Sequence, residues 1–224
     1  MTTKEALLKL EIDLWKKYPV IAGLDEAGRG AISGPLVVSG VILPINFQSS
    51  LIKDSKKLSH QQRLKAYELI KEKALEWKVV FKSVKEVEER NPLQATKDAM
   101  KEIILGFEKK PDICLIDGKE EVKAKETKTV SIISGDDKSI NIAAASIMAK
   151  VTRDLFMESL HKKYPIYQWD KNKGYPNKEH IKIVLKNGFC ELHRKTYEPI
   201  KSLLKVDSDF EKNYQKYGLK KQEN

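Results

Sequence analysis

Four acidic positions stand where expected strands end. Val20–Leu24 leads into Asp25-Glu26, Ile113–Ile116 into Asp117-Gly118, and Lys128–Ile133 into Ser134-Gly135-Asp136. If these runs are strands whose ends converge, the carboxylates meet in one crevice, where open α/β sheets bind ligands. Clustered carboxylates repel one another and resist ionising together, so they need a compensating cation. Hard oxygen donors with no histidine or cysteine beside them select Mg²⁺ or Mn²⁺ over zinc. Two such ions about 4 Å apart can activate a water and stabilise a leaving oxygen in phosphodiester hydrolysis. Taken singly, Asp117 and Asp136 read as ordinary turn residues, because Asp-Gly and Gly-Asp are common turn pairs. The adjacent acids Asp25-Glu26 are harder to dismiss. Successive strand residues point to opposite faces, so a turn here must twist one acid, or offer its backbone carbonyl, for both to reach a metal. Asp137 competes with Asp136, and spacing does not separate them.

Beside the first acids, Gly28-Arg29-Gly30 allows a close backbone approach to a ligand. A 2′-hydroxyl both donates and accepts hydrogen bonds, so a backbone turn could read it without regard to base. An ordinary tight turn with Arg29 in solvent explains the tripeptide equally well. Lys56 and Lys57 sit just before a helix start at Ser59, a setting that suits phosphate, or a solvated loop. Tyr175, within Lys171-Asn172-Lys173-Gly174-Tyr175-Pro176, could stack on a sugar or base, or simply pack. His193-Arg194-Lys195 forms a further basic cluster that could equally be surface.

The elements that must hold these residues follow from periodicity and punctuation. Strands are expected at Val20–Leu24, Leu36–Leu43, Val79–Val84, Ile113–Ile116 and Lys128–Ile133. Helices are expected at Lys4–Lys17, His60–Trp77, Leu93–Phe107, Ile142–His161 and Asn177–Lys186. The turn Asp25–Gly30 closes the first strand. Ala143-Ala144-Ala145-Ser146 would let the long helix pack closely on a sheet. This order predicts a mixed α/β fold with a central sheet.

The chain has 224 residues, 41% of them hydrophobic, which argues against wholesale disorder. Its 42 basic and 32 acidic residues give a net charge of +10, which favours a polyanionic partner but also fits a lysine-rich soluble surface. Cys114 and Cys190 lack metal-ligand spacing and read as buried thiols of a reduced cytoplasm. No segment reads as a signal peptide or a membrane span, so a cytoplasmic protein is expected.

The motifs together resemble the type 2 ribonucleases H, specifically bacterial ribonuclease HII. The resemblance runs through Gly23-Leu24-Asp25-Glu26-Ala27-Gly28-Arg29-Gly30 with Ser33-Gly34-Pro35, then Asp54-Ser55-Lys56-Lys57-Leu58-Ser59 and Ala95-Thr96. It continues through Ile116-Asp117-Gly118, Gly135-Asp136, Ala144-Ala145-Ser146-Ile147, Arg153-Asp154, Lys173-Gly174-Tyr175-Pro176 and His193-Arg194. So many blocks in consistent order are far more specific than any one. Thr196-Tyr197 departs from the serine and phenylalanine usual there. The basic tail after Lys205 has no counterpart.

The resemblance implies an RNase H-like mixed five-stranded sheet flanked by helices, with a small helical C-terminal part. The expected division is an N-terminal helical extension at 1–19, a catalytic core at 20–165, and a C-terminal substrate-contacting segment with the tail at 166–224. It implies that Asp25, Glu26, Asp117 and Asp136 bind Mg²⁺ or Mn²⁺ and are catalytic; the family's acid ten residues before Ser146 selects Asp136 over Asp137. It implies that Gly28, Arg29, Gly30, Lys56 and Tyr175 contact substrate. An aspartate as the fourth acid fits ribonuclease HII rather than HIII, as does the lack of a long N-terminal substrate-binding domain. The implied activity is a monomeric endoribonuclease that cuts the RNA strand of RNA–DNA hybrids and the 5′ side of ribonucleotides embedded in duplex DNA, leaving 3′-hydroxyl and 5′-phosphate ends. A nuclease of other specificity, such as a DNA resolvase, would share the acids without reading a 2′-hydroxyl. A non-catalytic nucleic-acid-binding module would share the basic surface, but acids at its centre would be a liability.

Overall fold

A computed structural model of the chain describes residues 10–53 and 55–204. Five strands form one mixed sheet in the order β3-β2-β1-β4-β5: β1 (Ile21–Ala27), β2 (Leu36–Ile42), β3 (Glu76–Lys82), β4 (Ile113–Asp117) and β5 (Lys128–Ile132). β1 pairs antiparallel with β2 and parallel with β4, so it lies at the centre of the sheet. Its residues are buried on both faces, as a central strand requires.

Helices cover both faces. On one, α3 (Pro92–Gly106) lays Ala95, Ala99, Met100 and Ile103 against Ala22, Leu24 and Val38, with α2 (Val84–Arg90) joining through Val87. On the other, the long α4 (Ile140–Lys163) and α1 (His60–Lys73) pack over Val41 and Leu43. The alanine run brings α4 close. Gly23 is required there, because a Cβ on it would lie 2.1 Å from the backbone carbon of Asn141. A third cluster joins the far end of α4 to the C-terminal part through Met157, Trp169, Val184 of α5 (Lys178–Asn187) and Ile200.

Several boundaries differ from the sequence expectation. β1 does not stop at Leu24. It continues through Asp25, Glu26 and Ala27, which pair with Ser39, Val38 and Val37 of β2. The acids therefore sit in the strand and not in the turn after it. α1 ends at Lys73, because Glu76 and Trp77 are drawn into β3 by pairing with Ile42 and Val41. α2 takes Val84 from the strand expected at Val79–Val84. Ser83 caps it reciprocally with Glu86, a capping box that overrides the β-branched Val84. Of the expected N-terminal helix, residues 10–15 are helical and 1–9 lie outside the described residues. The basic tail from Lys205, and Asp54, lie outside them too. Among the described residues no helix is long and apolar enough to cross a membrane. Cys114 is buried and its thiol is pushed up to about 12 by desolvation, whereas Cys190 is only half-buried, against expectation.

Candidate active site

A cleft of about 430 Å³ opens at the end of β1 and β4. Asp25, Glu26 and Asp117 line it, together with Gly28, Arg29, Gly30, Ser55, Lys56, Ser146, Lys150 and Tyr175. Parallel pairing of Leu24 with Ile116 sets Asp25 and Asp117 one residue further along neighbouring strands. Asp25 points toward α4, where the nearby Ser146 hydroxyl, itself 3.1 Å from Ser55 Oγ, works against the rise in its pKa. Glu26 points to the other side, toward α3, and also borders a smaller cleft containing Thr96 and Met100. No twisted turn is needed to bring the two acids to one place, because the cleft straddles the strand end.

The fourth acid arrives from a single 3₁₀ turn, Gly135–Asp137, between β5 and α4. The Gly135 N–H donates to Asp117 Oδ1 at 2.7 Å, and a Cβ on Gly135 would stand 3.2 Å from that same oxygen. The two neighbouring aspartates separate here. Asp136 is buried and accepts from Lys56 Nζ at 3.1 Å; Lys56 lines the cleft, whereas Asp136 itself does not. Asp137 faces out and accepts from Lys57.

Electrostatics mark the acids as an unsettled group. Asp25 is 6% exposed, and its carboxyl is held well above the usual range by burial, then by repulsion from Glu26 and Asp117. Glu26 is also raised by burial and Asp117, although Arg29, 3.3 Å away, pulls it down. Burying carboxylates beside one another costs free energy that a cation would return. As placed, no three acidic, histidine or cysteine side chains among the described residues close on a single point. The donor set, hard oxygens around an open cleft, nevertheless fits hydrated divalent cations, which keep part of their water shell.

Two buried arginines hold together the part of the cleft lining formed by Gly28–Gly30 and Tyr175. Arg153 donates to the carbonyls of Pro35, Ser33 and Lys173 at 2.9, 3.1 and 2.8 Å. Arg194 donates to Gly34 O at 2.9 Å and to Arg29 O at 3.1 Å, and the Tyr197 hydroxyl also donates to Arg29 O at 2.9 Å. The loop from Gly28 to Pro35 is thereby stitched to the segment carrying Tyr175. Ile32 and Ser33 complete the seam by donating to Gly174 O. The Tyr175 ring lies 5.0 Å from the Arg153 guanidinium and 5.7 Å from Lys150 Nζ. His193 and Arg194 are fully buried, so the first two residues of the basic cluster at 193–195 are neither surface nor an exposed nucleic-acid contact but part of the structural core.

The sequence reading gave no place in the site to Ser146, Lys150, Arg153 or Arg63. The first three lie on one face of α4 at spacings of four and three residues, a stripe that helical periodicity could have exposed. Arg63 holds the Ser55–Lys57 turn by donating to Ser55 O at 2.9 Å. That link depends on a local loop path that no periodicity encodes.

The family described as Ribonuclease HII matches residues 22–199. A ribonuclease HII of Mycoplasma mycoides is 44% identical over 198 residues, covering 88% of this chain and 96% of that protein. One from Aquifex aeolicus is 42% identical over 198 residues, covering 88% of this chain and 100% of its own. The crystal structure of the ribonuclease H2 from Pyrococcus horikoshii is similar at a TM-score of 0.69 and 28% identity, covering 86% of this chain and 99% of that one.

Proposed function

From the premise that the chain belongs to the ribonuclease HII family, we propose that it cuts on the 5′ side of ribonucleotides embedded in duplex DNA, using two Mg²⁺ or Mn²⁺ ions. It is a metal-dependent endoribonuclease acting on RNA–DNA hybrids. The observation that carries the finer reading is the meeting of Asp25, Glu26 and Asp117 with Gly28–Gly30 and Tyr175 around one cleft.

In this reading Asp25, Glu26, Asp117 and Asp136 hold the ions. When bound, these supply the charge that activates water and stabilises the departing 3′-oxygen. The chain's own groups do the rest. The clamped backbone of Gly28-Arg29-Gly30 meets the 2′-hydroxyl, which can both donate and accept. Arg29 and Lys56 offer charge to the flanking phosphates, and Tyr175 stacks on the sugar next to the ribonucleotide. Recognition a few ångströms from the acids couples reading to cutting: a deoxynucleotide can bind, but it leaves the reacting groups poorly aligned. The products carry 3′-hydroxyl and 5′-phosphate ends. The same reading has the protein act as a monomer in the cytoplasm, the compartment that holds its nucleic-acid substrate.

Asp25→Asn and Asp117→Asn test the assignment. Each is expected to abolish cleavage while hybrid binding, measured by fluorescence anisotropy, stays within a few-fold of the unmodified protein. Normal turnover in both variants would remove these acids from the mechanism.

A further inference from the structure

Glu11 lies before residues 22–199, the stretch that the family match covers, yet its side chain is wholly enclosed at 0% exposure. Its Oε1 accepts from Ser139 Oγ at 2.5 Å and from the N–H and Nδ2 of Asn141 at 3.3 and 3.4 Å. Those partners open α4: Ser139 is its N-cap, with its Oγ accepting from the Ile142 N–H at 3.1 Å. An acid at this end also suits the helix dipole.

The link does not stop at the helix. The Ser139 N–H donates to Gly135 O at 2.8 Å, and the Gly135 N–H donates to Asp117 Oδ1 at 2.7 Å. Asp136 sits inside that short loop. Three successive hydrogen bonds therefore run from Glu11 to Asp117 and enclose Asp136. The far side of the helix start is fixed as well. Asn141 Oδ1 accepts from the Leu43 N–H at 2.9 Å, and the backbone of Asn141 presses on Gly23, two residues before Asp25. With one side held by β1 and β2, Glu11 is the tie on the other.

We infer that Glu11 is a positioning residue for the acidic centre: through Ser139 it sets the Gly135–Ser139 turn, and with it the placement of Asp136 and Asp117 toward the metal ions. The inference rests on the reading of those two acids as metal ligands. It makes the N-terminal helical segment part of the catalytic unit rather than an appendage. Groups that orient metal ligands commonly cost tenfold or more in metal affinity when removed.

The test is the Mg²⁺ dependence of hybrid cleavage, together with Mg²⁺ binding without substrate followed by isothermal titration calorimetry, for the full chain and for Glu11→Ala, Glu11→Gln and Asp136→Asn. Glu11→Ala is expected to weaken that binding about tenfold, and unchanged binding would overturn the inference. Glu11→Ala is expected to raise the Mg²⁺ concentration for half-maximal rate about tenfold, with KM for the hybrid unchanged. Glu11→Gln keeps an acceptor oxygen at Oε1 and is expected to restore the normal Mg²⁺ curve. An unchanged Mg²⁺ curve in Glu11→Ala, or a rate lowered equally at every Mg²⁺ concentration, would overturn the inference and leave Glu11 a fold-stabilising tie. If Glu11→Ala does not fold, Ser139→Ala cuts the same link from the helix side, and its Mg²⁺ curve decides in the same way. Asp136→Asn separates the two levels. Should it leave both rate and Mg²⁺ dependence unchanged, the reading of the site itself has failed; should it shift them while Glu11→Ala does not, only the inference has.

Discussion

A Cβ added at Gly30 would meet nothing within 4 Å, whereas one at Gly28 would fall 2.0 Å from Arg153 Nε. Gly28 also has φ +91°, where an L side chain is strained. The fold itself thus requires a glycine at 28 but not at 30, where the open space faces the cleft and would be taken by substrate. Gly28→Ala should destabilise the protein by about 2 kcal/mol or more, because buried Arg153 must shift and release its three carbonyls. Gly30→Ala should unfold at a normal urea concentration yet lose about a hundredfold in cleavage rate, the cost of holding the ribonucleotide out of line. Chemical denaturation and single-turnover kinetics on both variants check this. At this scale Asp136 was told from Asp137 only by the family resemblance, but the meeting of Asp25, Glu26 and Asp117 was legible from the sequence, as acids at the ends of expected strands. The difference between Gly28 and Gly30 was not, because it depends on Arg153, more than 120 residues downstream.

Among the elements, the C-terminal segment is organised around two neutral histidines. The Cys190 N–H donates to His193 Nδ1 at 3.2 Å, His193 Nε2 meets His180 Nε2 at 3.4 Å, and His180 Nδ1 meets Tyr175 O at 3.0 Å. One pattern satisfies all three contacts: His193 donates from Nε2 and His180 from Nδ1. The chain ends on the backbone of Tyr175, so it helps fix the ring proposed to touch substrate. Burial, then repulsion by His180, lowers His193 to about 3. An unfolded histidine titrates near 6.5, so between about pH 6.5 and pH 3 the unfolded state takes up a proton that the native state refuses. Stability attributable to His193 is complete above that window and should fall by about 2 kcal/mol from pH 7 to pH 5. Urea midpoints across this range should show the slope, and His193→Gln should flatten it; parallel slopes in the two proteins would contradict the assignment. Periodicity found most elements but misplaced those decided by partners. β1 continues through its acids because β2 pairs with them, and Trp77 leaves a helical pattern because Val41 offers a strand. The capping box of α2, Ser83 with Glu86, was legible and was masked by reading Val84 as the end of a strand.

For the molecule as a whole, a sheet with helices on both faces delivers acids from three strand ends to one side, and the C-terminal segment delivers Tyr175 to the same place. Mutual repulsion among the buried acids should be relieved by a bound cation. Saturating Mg²⁺ or Mn²⁺ at about a hundred times its Kd should therefore stabilise the native state by about 2.7 kcal/mol and raise Tm by about 5–10 °C. EDTA should reverse the rise, and the Asp25→Asn/Asp117→Asn double variant should lack it. The net charge of +10 suits a nucleic-acid partner but carries no specificity for ribose, which has to come from the cleft. The most direct measurement incubates the protein with a labelled DNA duplex containing one ribonucleotide, beside an all-DNA duplex, in Mg²⁺, Mn²⁺ or EDTA. The account predicts metal-dependent cutting just 5′ of the ribonucleotide with the all-DNA duplex intact. Failure of well-folded protein to cut the ribonucleotide-containing duplex in either metal, or equal cutting of both duplexes, would contradict it.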